Sequence, residues 1–390
     1  MRRAPSRVAV RVAVRIASLA LIIAAACTTG GPDDGGPVGP APVLPPLLLG
    51  GDISALTRLE QAGATYRTTA GVSNAITALR LHGANLFRLR LFLAPNGDEV
   101  QVNDLPYTIA LAKRVQASGA QLLLDFHYSD TWADPGHQVT PAAWAGLGID
   151  SLEAQVERYT KQVMDTLRAE GVVPRIVQVG NEIDGGLLWP VGRIGGAGDS
   201  DSTSFADFGR LLRAGVRGVR AATTAADSVR VMLHYSGGAS IGGTQWFYDL
   251  VQAQNVPFDL IGLSYYPWWH GTIQQLRDNL TATANRYGKD IMVVETSYPW
   301  RDDWVPSGAL PSPWAWPRTA DGQATFLRDV IAAVDATPNG RGIGVVWWYP
   351  EAIVVPGVFM WGGGSLALFD PNGMILPAAG RFQIRNARPD

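Results

Sequence analysis

The sequence contains one cysteine, Cys27, and only five histidines among 390 residues. A lone cysteine cannot close an intrachain disulfide. The histidines are scattered, and no two of them have the His-x-x-x-His spacing, which argues against a zinc site. The formal net charge is −2, so the sequence gives no reason to expect a nucleic-acid partner or a polyanionic ligand.

Long uncharged apolar runs are also scarce, and the clearest one, at residues 16–26, is too short to span a bilayer. Arginines precede it and small residues end it, which predicts a secretory signal peptide over residues 1–26. Cys27 follows Leu-Ile-Ile-Ala-Ala-Ala, as in the lipidation sites of bacterial lipoproteins. We therefore expect a protein that is secreted or anchored to the bacterial cell envelope by a lipid on Cys27. Ordinary cleavage after Ala26 is the alternative.

Residues 27–46 are rich in glycine and proline and predict a flexible tether. From residue 47 to residue 390, short apolar runs alternate with amphipathic segments, which predicts one α/β domain. The predicted strands are 48–54, 85–92, 121–127, 176–182, 230–235, 259–265, 291–296 and 343–349. The predicted helices are 71–82, 106–118, 151–170, 204–222, 244–254, 273–287 and 320–336. Asp150 with Glu153 resembles a capping pair for the third of these helices.

Eight strands with intervening helices predict a (β/α)8 barrel. A doubly wound open sheet is the alternative, but no glycine-rich phosphate loop follows the first strand. In a barrel of this kind, functional side chains gather at the C-terminal ends of the strands. Nearly every predicted strand ends in a polar or aromatic side chain: Asp52, Arg88, Arg90, Asp125, His127, Tyr128, Asn181, Glu182, His234, Tyr235, Tyr265, Tyr266, Glu295, Trp347 and Trp348.

Glu182 and Glu295 each close an apolar strand, where a carboxylate is costly to bury unless it is paired or used. The fourth and seventh strands face each other across a barrel mouth, so both carboxyls can approach one bond. Hydrolysis of a glycosidic bond requires such a pair. A structural cap or ion pair explains either glutamate alone nearly as well. Both together, among clustered tryptophans, favour catalysis.

Arg88 and Arg90 share one face of their strand because side chains alternate along it. One of them is expected to hold the nucleophilic carboxylate in its ionised form, and the sequence does not decide which. His127 and His234 are equally well explained as packed histidines or as functional groups. Their positions at strand ends favour function only modestly.

Several motifs together resemble the family 53 glycoside hydrolases, which are arabinogalactan endo-β-1,4-galactanases with a retaining mechanism. The motifs are Asp125-Phe-His-Tyr-Ser-Asp-Thr-Trp-Ala-Asp-Pro-Gly-His137, Gly180-Asn-Glu-Ile, Gly186-Leu-Leu-Trp-Pro190 and Val293-Val-Glu-Thr-Ser-Tyr-Pro-Trp300. The resemblance implies Glu182 as acid/base and Glu295 as nucleophile. It further implies a substrate cleft lined by Asp125, His127, Asn181, Trp189, Tyr265, Trp300 and Trp347, to which we add Arg88, Arg90 and His234.

We therefore expect an endo-hydrolase of β-1,4-galactan that acts on a polysaccharide as a monomer and needs no cofactor. Some bacterial relatives bind calcium after the seventh strand, but that segment here contains only two adjacent acids. Asp302, Asp303 and Asp370 are the candidates if calcium binds. Two alternative functions remain at this stage. One is hydrolysis of another β-1,4-linked polymer such as mannan or cellulose, and the other is a non-catalytic glycan-binding lipoprotein.

Overall fold

The computed structural model describes residues 45–195, 202–310 and 314–383, which belong to one compact unit. The predicted signal peptide, Cys27 and nearly all of the predicted tether lie outside the described residues. None of the helices in the described part of the chain combines the length and the apolar character needed to cross a membrane.

Eight parallel strands close into a barrel, which confirms the predicted (β/α)8 fold. Each strand pairs with its neighbour in sequence, and the last pairs with the first through Asp52 and Trp348. The strands are β1 Leu48–Asp52, β2 Leu86–Leu91, β3 Gln121–Phe126, β4 Ile176–Val179, β5 Arg230–Tyr235, β6 Leu260–Tyr265, β7 Asp290–Thr296 and β8 Gly342–Trp348. Their C-terminal ends therefore meet at one mouth, where the predicted polar residues lie.

The helices cover the outside of the barrel. They are α1 Leu56–Gln61, α2 Ala75–Leu81, α3 Leu105–Ala117, α4 Ile149–Ala169, α5 Ser202–Ala221, α6 Ile241–Ala253, α7 Pro267–His270, α8 Ile273–Tyr287 and α9 Ala320–Asp335. The short helices α1 and α7 were not predicted, because six and four residues carry little periodicity.

Several helices start a few residues from the predicted position, and for two of them the local contacts give the reason. Helix α2 starts at Ala75 rather than residue 71, because Asn74 caps it by accepting the Thr77 N–H at 2.9 Å. The preceding residues, Gly71–Ser73, pair with Tyr66–Thr68 in a hairpin. Helix α4 begins at Ile149 after the N-cap Gly148, so Asp150 lies in the first turn and bonds Arg210 instead of capping.

Below the mouth, inward-facing side chains form an apolar layer that fills the barrel. Its buried members come from seven strands and are Leu86, Leu123, Ile176, Met232, Leu260, Met292, Val294 and Val346. Outward-facing side chains pack against the helices in a larger second core. The alternation of inward and outward residues follows the two-residue period of strands.

Strand β7 interrupts this alternation immediately before Glu295. Leu263 of β6 pairs with Val293, but the next residue, Ser264, pairs with Glu295, so Val294 is an extra residue. Such a bulge re-aims the side chains that follow it. Val294 belongs to the inner layer, and strict alternation would turn Glu295 outward toward the helices. The bulge allows both residues to face the barrel interior.

Candidate active site

Arg88 lies at the centre of the barrel mouth and is fully buried. Its Nη1 donates to Glu295 Oε1 at 2.8 Å and to Asp52 Oδ2 at 3.2 Å. Its Nη2 donates to Asp125 Oδ2 and to Asn181 Oδ1, each at 2.7 Å. The planar guanidinium thus ties four strands together and fixes one oxygen of Glu295.

Arg90 has a different role, which answers the question that the sequence left open. Its Nη1 lies 3.4 Å from Asp52 Oδ1, and its guanidinium stacks 4.4 Å from the centre of the Trp132 ring. Arg88, rather than Arg90, contacts Glu295. Both arginines are fully buried, and direct contact of either with substrate stays a prediction.

Glu295 is held at both carboxylate oxygens. Arg88 occupies Oε1, and the Tyr266 hydroxyl donates to Oε2 at 3.1 Å. Only 6% of the Glu295 side chain is exposed, at the floor of the cleft. Tyr266 was named from the sequence as a strand-end residue, but Tyr265, not Tyr266, was assigned to the cleft.

Glu182 follows β4 in a left-handed turn. Its φ is +43°, and that of Gly180, two residues earlier, is +84°. A Cβ on Gly180 would lie 2.6 Å from Ile183 Cγ2, so glycine is required there both by conformation and by space. Left-handed non-glycine residues are uncommon and concentrate at functional sites. The turn brings the partly exposed Glu182 side chain to the cleft.

The two glutamates are close enough to act on one bond. Carboxylate oxygens of Glu182 and Glu295 lie within 4.8 Å of each other. Retaining glycosidases hold their carboxyls about 5–5.5 Å apart, whereas inverting enzymes need about 6.5–9.5 Å to admit a water. Oxygens this close favour the narrower, retaining arrangement over the wider, inverting one.

Electrostatics differ between the two carboxyls. Loss of solvation raises the pKa of Glu182 well above its ordinary value, and the negative charge of Glu295 raises it further. Burial also raises the pKa of Glu295, but Arg88 opposes that effect through its charge and its hydrogen bond. When one proton is shared by this pair, Glu182 holds it and Glu295 is the ionised member.

Two histidines that were predicted as substrate contacts support the mouth from beneath. His127 is buried, accepts the Ala133 N–H at Nδ1 and places Nε2 3.1 Å from Asp125 Oδ2. His234 is fully buried and contacts Ser264. Asp125 is likewise inaccessible. The structure thus shows these side chains in contact with neighbouring residues of the barrel mouth.

Across the described ranges, Glu182, His234 and Glu295 are the one group of three side chains close enough to share a metal ion. Both ring nitrogens of His234 already have hydrogen-bonding partners, so no imidazole lone pair points to the gap. The calcium candidates have other partners. Asp302 pairs with Arg318, Asp303 pairs with Arg301 and Ser365, and Asp370 accepts the N–H groups of Asn372 and Met374.

A cleft of about 420 Å³ opens above the two glutamates. Its wall includes Tyr266, Trp269, Trp348 and Trp361, besides Asp134, Pro135, Ser236 and His270. A second pocket of about 270 Å³ adjoins it and shares Trp348 and Trp361. Trp269 stacks on Trp361 with ring centres 5.8 Å apart. Flat aromatic walls suit the CH faces of sugar rings.

Tyr265 and Trp347 were predicted in the cleft, and the structure places both elsewhere. Each is fully buried and packs against Phe326 of α9. Tyr265 donates to the Gly271 carbonyl, and Trp347 donates to the Leu366 carbonyl. Both residues occupy outward positions of their strands, on the helix side rather than in the cleft.

The other two predicted tryptophans lie in the loops around the mouth and are partly exposed. The Trp189 indole donates to the Gly185 carbonyl at 2.8 Å, and the Trp300 indole donates to the Gly364 carbonyl at 3.0 Å. The remaining predicted residue, Asn181, is nearly buried and donates to the Ala133 carbonyl.

A closed (β/α)8 barrel with two carboxyls at retaining distance beneath an aromatic cleft defines the protein as a glycoside hydrolase. Comparison with known proteins then gives the family. The model of glycosyl hydrolase family 53 matches residues 48–382, and the chain belongs to this family.

Three relatives illustrate the similarity. The chain is 39% identical over 310 residues to a protein of Aspergillus terreus named probable arabinogalactan endo-β-1,4-galactanase A, covering 77% of this chain and 84% of that one. It is 36% identical over 322 residues to the endo-β-1,4-galactanase of Bacillus subtilis, covering 79% and 71%. A solved fungal β-1,4-galactanase superposes with a TM-score of 0.75 at 32% identity, covering 87% and 99%.

Proposed function

We propose that the protein is an endo-β-1,4-galactanase that cleaves internal bonds of galactan with retention of anomeric configuration. The observation that carries this proposal is the pair of glutamate carboxyls within 4.8 Å at the floor of an open aromatic cleft. The names of the family 53 relatives supply the substrate.

In the first step, Glu182 acts as general acid. It gives its proton to the glycosidic oxygen while Glu295 attacks the anomeric carbon from the opposite face. The bond between that carbon and the leaving oxygen breaks, and an ester bond to Glu295 forms. Arg88 and Tyr266 hold the attacking carboxylate in place, so little reorganisation is needed as its charge is consumed.

In the second step, Glu182 acts as general base. Now ionised, it removes a proton from water as the water oxygen attacks the same carbon and Glu295 departs. Two displacements at one carbon restore the original configuration. Loss of the negative charge on Glu295 during the intermediate lowers the pKa of Glu182, which suits its change from acid to base.

The cleft offers room for a polymer. Trp269, Trp348 and Trp361 present aromatic surface around the two glutamates, and the adjoining pocket continues the cleft past Trp348. An aromatic surface that continues past the two glutamates supports cleavage within a chain.

The test assigns each glutamate separately. Glu182→Ala and Glu295→Ala should each lower turnover of linear galactan by at least about 10²-fold, with unfolding temperatures near that of the parent. With a dinitrophenyl β-galactotrioside and azide, Glu295→Ala should give the α-glycosyl azide and Glu182→Ala the β-glycosyl azide. Near-normal hydrolysis by either variant, or an exchanged pattern of azides, would overturn the assignment. Higher activity on mannan or cellulose than on galactan would overturn the proposal that galactan is the substrate.

We further propose that the mature protein is a monomer that is secreted or held on the cell envelope through a lipidated Cys27. The arginine-led apolar run and the position of Cys27 support this proposal. Detergent-phase partition that is lost in Cys27→Ser is the expected result. Unchanged partition of that variant would contradict the lipid anchor and leave simple secretion. Retention of the protein in the cytoplasm would contradict both, and a dimer by light scattering would contradict the monomer.

A further inference from the structure

Three hydrogen bonds form a ring that begins and ends on Glu182. The Ser264 hydroxyl lies 2.6 Å from Glu182 Oε1 and 2.9 Å from His234 Nε2. The other nitrogen of that imidazole, Nδ1, lies 3.3 Å from the Glu182 backbone nitrogen. Ser264 and His234 are both fully buried, at inward positions of β6 and β5.

The direction of these bonds follows from the donors around His234 Nδ1. The Glu182 N–H is fixed by the backbone and points at this nitrogen. Gln178 Nε2 also lies 3.1 Å away, but its two hydrogens are shared among this nitrogen, the Gly180 carbonyl and Asn181 Oδ1. Asn181 Oδ1 is also 3.0 Å from Nδ1, but it already accepts from Arg88 and from Gln178. We therefore assign a lone pair to Nδ1 and the ring proton to Nε2.

With its proton on Nε2, His234 donates to the Ser264 oxygen. The serine hydrogen is then free to donate in one direction, to Glu182 Oε1. Oε1 is an acceptor in this arrangement, so a protonated Glu182 carries its hydrogen on Oε2. The left-handed turn at Glu182 aims the backbone N–H that anchors the imidazole, so the turn and the ring support each other.

We propose that Ser264 and His234 are positioning residues for the acid/base, a ring that reserves Glu182 Oε2 for delivery of the proton to the leaving oxygen. The inference rests on the proposed roles of the two glutamates. It adds two buried residues that touch neither substrate nor the reacting bond.

His234 is suited to a fixed orientation rather than to proton transfer. Burial lowers the pKa of His234 well below its ordinary value, and the charge of Arg88 lowers it further. The charge of Asp125 raises the pKa of His234, whereas His127 lowers it, as Arg88 does. The imidazole is therefore neutral at working pH, with one donor and one acceptor nitrogen.

Glu182 faces three other acids, and each raises its pKa: Glu295, Asp184 and Asp134. The Ser264 hydrogen bond acts in the opposite sense because it stabilises the carboxylate. Removal of that hydroxyl should therefore raise the pKa of Glu182 in addition to freeing its rotation. Substitution of a residue with a merely structural role would change neither the pKa of Glu182 nor the rotation of its carboxyl group.

The test compares two leaving groups on Ser264→Ala. Galactan needs a proton on its leaving oxygen, whereas dinitrophenolate leaves without one. We expect kcat on galactan to fall about 10- to 100-fold while formation of the glycosyl-enzyme from the dinitrophenyl trioside stays within about threefold of the parent. The basic limb of the kcat/KM profile on galactan should move to higher pH. His234→Gln, which keeps a donor near Nε2 and removes the Nδ1 acceptor, should show the same selective loss.

Ser54→Ala is the matched control, because it removes a buried hydroxyl that accepts the Arg90 N–H beside β1. It should leave the ratio of the two rates and the basic limb unchanged. An equal loss on both substrates by Ser264→Ala, or an unmoved basic limb, would overturn the inference. A parent enzyme that does not cut galactan would instead overturn the proposed function, so the two failures are distinguishable.

Discussion

Replacement of Arg88 by lysine keeps the buried charge and removes the geometry that holds Glu295. The guanidinium serves four acceptors from two nitrogens, at 2.7, 2.7, 2.8 and 3.2 Å. A lysine ammonium has three hydrogens on one nitrogen and cannot occupy both positions. At least one charge-assisted hydrogen bond is lost, which costs about 1.5–3 kcal/mol.

When the lost bond is the one to Glu295, that cost corresponds to a fall of about 10- to 100-fold in kcat/KM on galactan. The matched control is Arg90→Lys, which makes the same chemical change two residues along the same face of β2. Arg88 bonds Glu295, whereas Arg90 bonds Asp52, which the two arginines share, so the Arg90 variant should retain most of the activity. Initial rates of reducing-sugar release on linear galactan measure both. Equal losses in the two variants, or a larger loss for Arg90→Lys, would refute the assignment of Arg88.

Three further predictions concern other parts of the molecule. Tyr266→Phe removes the hydrogen bond to Glu295 Oε2 and should lower kcat about 10-fold in the galactan assay with little change in KM. Trp348→Ala should raise KM for galactan because Trp348 lines the cleft, whereas Trp347→Phe should lower the unfolding temperature in calorimetry and leave KM unchanged. Burial raises the pKa of Glu351 to about 8, above its unfolded value of about 4.3. The stabilisation from the neutral Glu351 carboxyl is therefore full below about pH 4.3 and is lost as the pH rises toward 8. Unfolding temperatures from pH 5 to pH 8 should therefore fall less in Glu351→Gln than in the parent.

The sequence predicted the strands well because each carries a continuous apolar run between helical segments. It predicted the pair of glutamates for a chemical reason, the cost of leaving a carboxylate unused at a strand end. The choice between neighbouring residues was less certain. Tyr265 and Tyr266, or Trp347 and Trp348, are chemically alike, and a shift of one residue exchanges the two faces of a strand.

Glu295 shows the limit of periodic reasoning. Alternation from Met292 and Val294 of the inner layer would place Glu295 on the outer face, and only the bulge in β7 turns it inward. Nothing in the local sequence marks that bulge. The sequence could not decide between Arg88 and Arg90 for a similar reason. Both side chains lie on one face of β2, and only their different depths in the barrel give them different partners.

The apolar layer that fills the barrel beneath the glutamates closes the active site from below, and within the described residues the site opens to solvent through the aromatic cleft. Water must enter through the same cleft that the leaving part of the polymer occupies. The leaving part therefore departs before water attacks the glycosyl-enzyme. During that interval a hydroxyl of a second sugar chain competes with water for the bound glycosyl group. Concentrated substrate should therefore divert the enzyme from cutting chains to joining them.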